Sequence, residues 1–102
     1  MITHNKLVRD KIIDIIKSDN KDCSYEILDD KRYKEELIKK LHEEVNEFVE
    51  SEEIEEIADI LEVIESILTL KNSSFEEVFN IKAEKTSKRG GFKNRLYLKD
   101  VF

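Results

Sequence analysis

KRYKEELIKKLHEEVNEFVESEEIEEIADILEVIESILTL, residues 31–70, decides the fold. Over Lys31 to Glu50 the apolar residues Leu37, Ile38, Leu41, Val45, Phe48 and Val49 fall within about 120° of arc at about 100° per residue, which predicts an amphipathic helix. Asp29 or Asp30 offers its N-cap. Ser51-Glu52-Glu53 resets the apolar phase, and a further helix is predicted from Ile54 to Leu70. So short a connection makes the two helices antiparallel neighbours. In the second of them Ile54, Ile57, Ile60, Leu61, Val63, Ile64, Ile67, Leu68 and Leu70 cover roughly half the circumference, a stripe too wide for one packing partner. A chain of 102 residues buries a limited fraction of its surface, so a second subunit is expected to complete the core, as a homodimer or homotetramer.

Outward from this hairpin, the chain carries no proline and only Gly90 and Gly91, so little interrupts helices. A first helix is predicted over Leu7 to Lys17, ending near Ser18-Asp19-Asn20. Tyr25 to Leu28 is too short to assign. After Asn72-Ser73-Ser74, the pair Ser74 and Glu77 matches a capping box and predicts a last helix from Phe75 to Lys88, stopped by Gly90-Gly91. Phe92 to Phe102 reads as a short strand or an ordered arm. The expected architecture is all-α: one domain over residues 1–102, an antiparallel helical bundle completed by oligomerisation.

Charge and composition exclude several classes. No apolar run approaches the ~20 residues of a membrane span, and the opening MITHNKLVRDKI lacks a signal-peptide core, which points to a cytoplasmic protein. Cys23 is the one cysteine, and with only His4 and His42 beside it no zinc-type cluster is expected. The net charge of −6 opposes general nucleic-acid binding. That charge is unevenly spread. Glu43 to Glu65 holds eleven acids and no base, whereas Lys82 to Phe102 holds seven bases against Glu84 and Asp100.

Within the acidic centre, Glu44 and Glu47 are spaced i, i+3, as are Glu56 and Asp59, so each pair projects from one side of its helix. Two such pairs on antiparallel neighbours can converge, and four converging carboxylates repel unless a hard cation such as Mg²⁺, or Mn²⁺, lies between them. Most Glu-rich runs are solvated faces. Two features weigh against that here. No base inside the run compensates the repulsion, and with Ile54 at 0°, Glu56 lies at about 200° among Val63, Ile67 and Ile60, where a carboxylate needs a partner. Asp59 flanks the same stripe, whereas Glu55, Glu62 and Glu65 fall on the polar side. Glu44 borders the apolar arc of its helix and Glu47 lies further out.

The segments Leu41-His-Glu-Glu-Val-Asn-Glu-Phe48 and Glu55-Glu-Ile-Ala-Asp-Ile-Leu61 resemble the ExxE and ExxD motifs of the all-α nucleoside triphosphate pyrophosphatases, the MazG-like and phosphoribosyl-ATP pyrophosphohydrolase-like proteins. The likeness extends to Asn5-Lys-Leu-Val-Arg-Asp-Lys-Ile12 and Lys88-Arg-Gly-Gly-Phe92, which look like segments of the small stand-alone branch. It covers most of the chain. One departure is Ile13, where the branch has proline. The resemblance implies a Mg²⁺-dependent helical bundle that cleaves nucleotide polyphosphates between the α and β phosphorus, releasing a monophosphate and pyrophosphate. By motif position Glu44, Glu47, Glu56 and Asp59 would be its metal ligands and catalytic acids, with Glu43 a weaker fifth.

Lys88 and Arg89 beside Gly90-Gly91 are candidates for binding the polyphosphate, their alternative being a helix C-cap with bases that complement the dipole. Lys6 and Arg9 are candidates for the same role; Arg9 has the alternative of pairing with an acid of the central run. His42, just past the apolar arc, reads as a packing residue rather than a base. Phe48, Phe75 and Phe79 read as core, and Phe92 as the one aromatic placed to stack on a base. The rival reading is a non-catalytic helical oligomerisation or nucleotide-sensing module.

Overall fold

The computed structural model describes residues 1–102 and consists of four helices without strands: α1 (Ile12–Ser18), α2 (Asp30–Ser51), α3 (Ile54–Leu70) and α4 (Phe75–Arg89). No helix is long and apolar enough to cross a membrane. Local chemistry explains most of the boundaries. The Asp29 carboxylate accepts from the Arg32 N–H at 2.9 Å and starts α2. Ser74 caps α4 by accepting from the Glu77 N–H at 3.2 Å. Only half of the expected capping box forms, because the Glu77 carboxylate takes the Ser73 hydroxyl at 2.5 Å.

Asparagine closes two helices. Asn20 and Asn72 have φ of 58° and 57°, the left-handed conformation asparagine tolerates best after glycine. The amide of Lys21 donates to Ile16 O, that of Ser73 to Leu68 O, and the asparagine amides to Lys17 O and Thr69 O. This is the Schellman arrangement, which satisfies carbonyls left over at a helix end. Between α2 and α3 the left-handed residue is Glu52, with φ of 56°, and the closure is the simpler αL one: its amide donates to Phe48 O at 2.7 Å, and the Glu53 amide donates to Ser51 Oγ at 3.2 Å. A two-residue connection, Glu52-Glu53, then folds α3 back against α2.

The first helix is shorter than its apolar pattern predicts. Leu7 to Lys11 stays outside α1, whose N-cap Lys11 makes no side-chain cap bond, and Asn5 upstream has φ of 46°. The Ile12 N–H closes a turn on Arg9 O at 3.0 Å, and the apolar residues at 7 and 8 lie before that turn, outside the helix. Ile13 is the second residue of α1, where the amide lacks an intrahelical partner, so proline and isoleucine both fit that position. The tail from Phe92 to Phe102 forms no strand; it is an exposed arm with one turn, the Arg95 N–H donating to Phe92 O.

The chain does not form a closed bundle. α2 and α3 form the one extensively packed helix pair, and only Leu37, Glu44 and Val63 are buried. The radius of gyration is 18.5 Å, against about 13 Å for a compact chain of this length. The core is thus the seam of one hairpin, flanked by α1 and α4. The position of that seam brings the two acidic pairs face to face.

Candidate metal centre

Glu44 and Glu47 stand on adjacent turns of α2, and Glu56 and Asp59 on adjacent turns of α3, close to the connection that makes the helices antiparallel. One carboxylate oxygen from each of the four lies within 4.8 Å of the others. The acidic cluster can therefore hold a metal ion, with a donor set of hard oxygens. Helical phase puts Glu56 in the stripe and Asp59 on its flank, and both are half-buried. Glu47 is exposed, as expected of the acid furthest from the apolar arc. Glu44 goes further inward than its bordering position implied: it is 7% exposed and is the only buried charged residue.

Two cations attend the cluster. The Arg9 guanidinium donates to Asp59 Oδ1 at 2.8 Å, so the pairing alternative for Arg9 is the one the structure adopts. Its reach follows from the non-helical stretch before α1. Lys40 Nζ lies 3.5 Å from both Glu43 Oε2 and Glu44 Oε1. Lys40 lies outside the base-free run Glu43–Glu65, one turn before Glu44 at the i, i+4 spacing that pairs opposite charges.

The second oxygen of Glu44, Oε2, is buried and has no hydrogen-bond partner. An ionised oxygen in that state is costly, and burial pushes the Glu44 carboxyl above its usual range. The Glu47 carboxyl and its charge push the same way, as does Asp59, while Lys40 opposes them. Either a proton shared with Glu47 or a cation in the cluster would relieve the strain. Four carboxylates against Arg9 and Lys40 leave two negative charges, which one divalent ion neutralises.

The remaining candidates stand apart. Lys88 pairs with Glu84 on its own helix at 3.0 Å, and neither Lys88 nor Arg89 bonds to any of the four acids. Gly90, with φ of 81°, carries its amide back to Thr86 O at 2.8 Å, the helix-capping role. Lys6 is exposed and unpaired. His42 is exposed, not packed, because it lies beyond the edge of the arc that α3 covers. Phe75 and Phe79 stack on each other at 5.6 Å between centroids, and Phe92 is 98% exposed. A hollow at the far end of the hairpin, lined by Asp30, Tyr33, Glu62 and Glu65 among others, shares no residue with the cluster.

Comparison with models of protein families, with curated proteins and with solved structures finds no match to this chain.

Proposed function

We propose that the protein is a Mg²⁺-dependent nucleotide pyrophosphohydrolase, cleaving a nucleoside triphosphate or related nucleotide polyphosphate to a monophosphate and pyrophosphate, with noncanonical nucleotides among its substrates. The observation that carries this reading is the convergence of Glu44, Glu47, Glu56 and Asp59 around a buried, unpartnered carboxylate oxygen. The motif resemblance supplies the reaction. In this reading the chain acts in the cytoplasm as a dimer or tetramer.

When bound, Mg²⁺ (or Mn²⁺) would supply charge neutralisation at the phosphates and acidify a water for attack on phosphorus. The chain's own residues divide the remaining work. Glu44 and Glu56, the more enclosed acids of α2 and α3, fix the geometry of the donor set. Lys40 holds Glu44 Oε1 from outside, which leaves Oε2 for the interior of the cluster. Glu47 is exposed and forms no ion pair, so it can accept a proton from a water approaching along the open side. Arg9 is already placed beside Asp59, and its guanidinium offers further donors to a phosphate oxygen. Lys6, Lys88 and Arg89 are proposed as outer contacts to the polyphosphate tail.

The test is pyrophosphate release from a panel of canonical and modified nucleoside triphosphates and phosphoribosyl-ATP, with Mg²⁺ and with excess chelator. The reading expects release that requires Mg²⁺ and is lost in Glu56→Gln. Silence over the whole panel, or release that Glu56→Gln retains, would overturn it and leave the non-catalytic module.

A further inference from the structure

The two cations at the acidic cluster are mounted differently. Lys40 stands on α2 one turn before Glu44, so the helix backbone fixes it there. Arg9 belongs to residues 1–11, which lie outside every helix and of which only Leu7 is even half-buried. Apart from Arg9 to Asp59, no hydrogen bond or ion pair joins that segment to α2 or α3. One polar contact, made to one of the four clustered acids, therefore ties the N-terminal segment to the hairpin.

That contact is readily given up. The Arg9 and Asp59 side chains are 60% and 41% exposed, and ion pairs so open to water hold weakly. A divalent cation held by Asp59 would compete with the guanidinium for the same negative charge. Arg9 would then have a second acceptor close by. Two oxygens bound to one Mg²⁺ are at most about 4 Å apart, so a phosphate oxygen on that ion would lie within about 4 Å of the ligating Asp59 oxygen. Rotation of a long side chain on an irregular segment spans such a distance, and the guanidinium fork matches phosphate as it matches carboxylate.

We propose that Arg9 is an exchangeable counter-ion: it neutralises Asp59 in the metal-free protein, yields it to a divalent cation, and passes to the polyphosphate that arrives with the cation. The N-terminal segment moves with it, while Lys40 stays on Glu44. This exchange rests on the metal reading of the cluster and adds the order in which charges are paired there. The other role open to Arg9 is that of a fixed partner that keeps a ligating Asp59 oriented. The two roles differ in sign: removing a competitor tightens cation binding, and removing a support weakens it.

The test is calorimetric titration of the full chain, first with Mg²⁺ alone and then with inorganic tripolyphosphate at saturating Mg²⁺. The proteins are wild type, Arg9→Gln, Arg9→Lys and Lys11→Gln, the last removing one charge from the same segment at an exposed residue that pairs with no acid. Far-UV circular dichroism checks that helix content is unchanged. The expected result is Mg²⁺ binding tighter by about threefold or more in Arg9→Gln than in wild type or Lys11→Gln. Tripolyphosphate should bind about tenfold more weakly to Arg9→Gln, with partial recovery in Arg9→Lys. Mg²⁺ affinity unchanged or lowered in Arg9→Gln, equal tightening in Lys11→Gln, or tripolyphosphate binding indifferent to Arg9→Gln would overturn the exchange and leave the metal reading standing. Absence of Mg²⁺ binding in all four proteins would overturn the metal reading and the exchange together.

Discussion

Glu44 concentrates the physical problem of this molecule in one side chain. Its carboxyl is enclosed against α3, beside a second carboxyl, with one oxygen unpartnered. Because its folded pKa is raised above an ordinary value near 4.5, the folded state binds the proton more tightly than the unfolded chain does. The penalty is therefore fully present above the folded pKa and disappears as pH falls toward the unfolded one. Metal-free protein should gain stability on acidification through that window, and Mg²⁺ should flatten the dependence. Denaturant melts at stepped pH, with Mg²⁺ and with chelator, check both. Glu44→Gln should stabilise the metal-free protein, remove this pH dependence and abolish stabilisation by Mg²⁺. The four acids were legible in the sequence because i, i+3 spacing on antiparallel helices leaves few places for them to meet. The depth of Glu44 and the part played by Lys40 were less so, since they depend on how far α3 leans over α2, which helical phase alone does not fix.

At the scale of elements, the two central helices could be read almost to the residue, and for a physical reason. Their periodicity is long, and their ends carry their own signals in Asp29, in the phase reset before Ile54 and in Asn72. α1 was overextended because Leu7 and Val8 continue an apolar pattern that no cap supports. The turn at Glu52 is where local chemistry is least favourable. A non-glycine residue in the left-handed region costs roughly 1–2 kcal/mol, part of which glycine gives back through its looser unfolded chain. Glu52→Gly should therefore raise stability by about 0.5–1 kcal/mol in thermal melts, without changing metal binding. At the other end of the scale, Ser74→Ala should cost about 1 kcal/mol by removing the α4 cap.

The whole molecule is an acidic hairpin followed by a C-terminal stretch that is basic from Lys82 onward, 63 Å in its longest dimension and with little interior of its own. Hydrogen exchange should show this unevenness: amides near Leu37, Glu44 and Val63 should be the slowest, and those of the last turns of α4 and of residues 92–102 should exchange at close to unprotected rates. Of the wide apolar stripe of α3, Val63 is buried while Ile57 and Leu61 stay exposed. Which side of the hairpin stays uncovered depends on the direction in which each helix turns its row, and that needed the packed pair.

The claim on which the rest depends is that the four carboxylates form a divalent-cation site, and calorimetric titration of Mg²⁺ into chelator-stripped wild-type protein and Glu56→Gln tests it directly. Saturable binding in the wild type, lost in Glu56→Gln while its helix content is unchanged, is the predicted result. Equal binding by the two proteins, or none by the wild type, would contradict it.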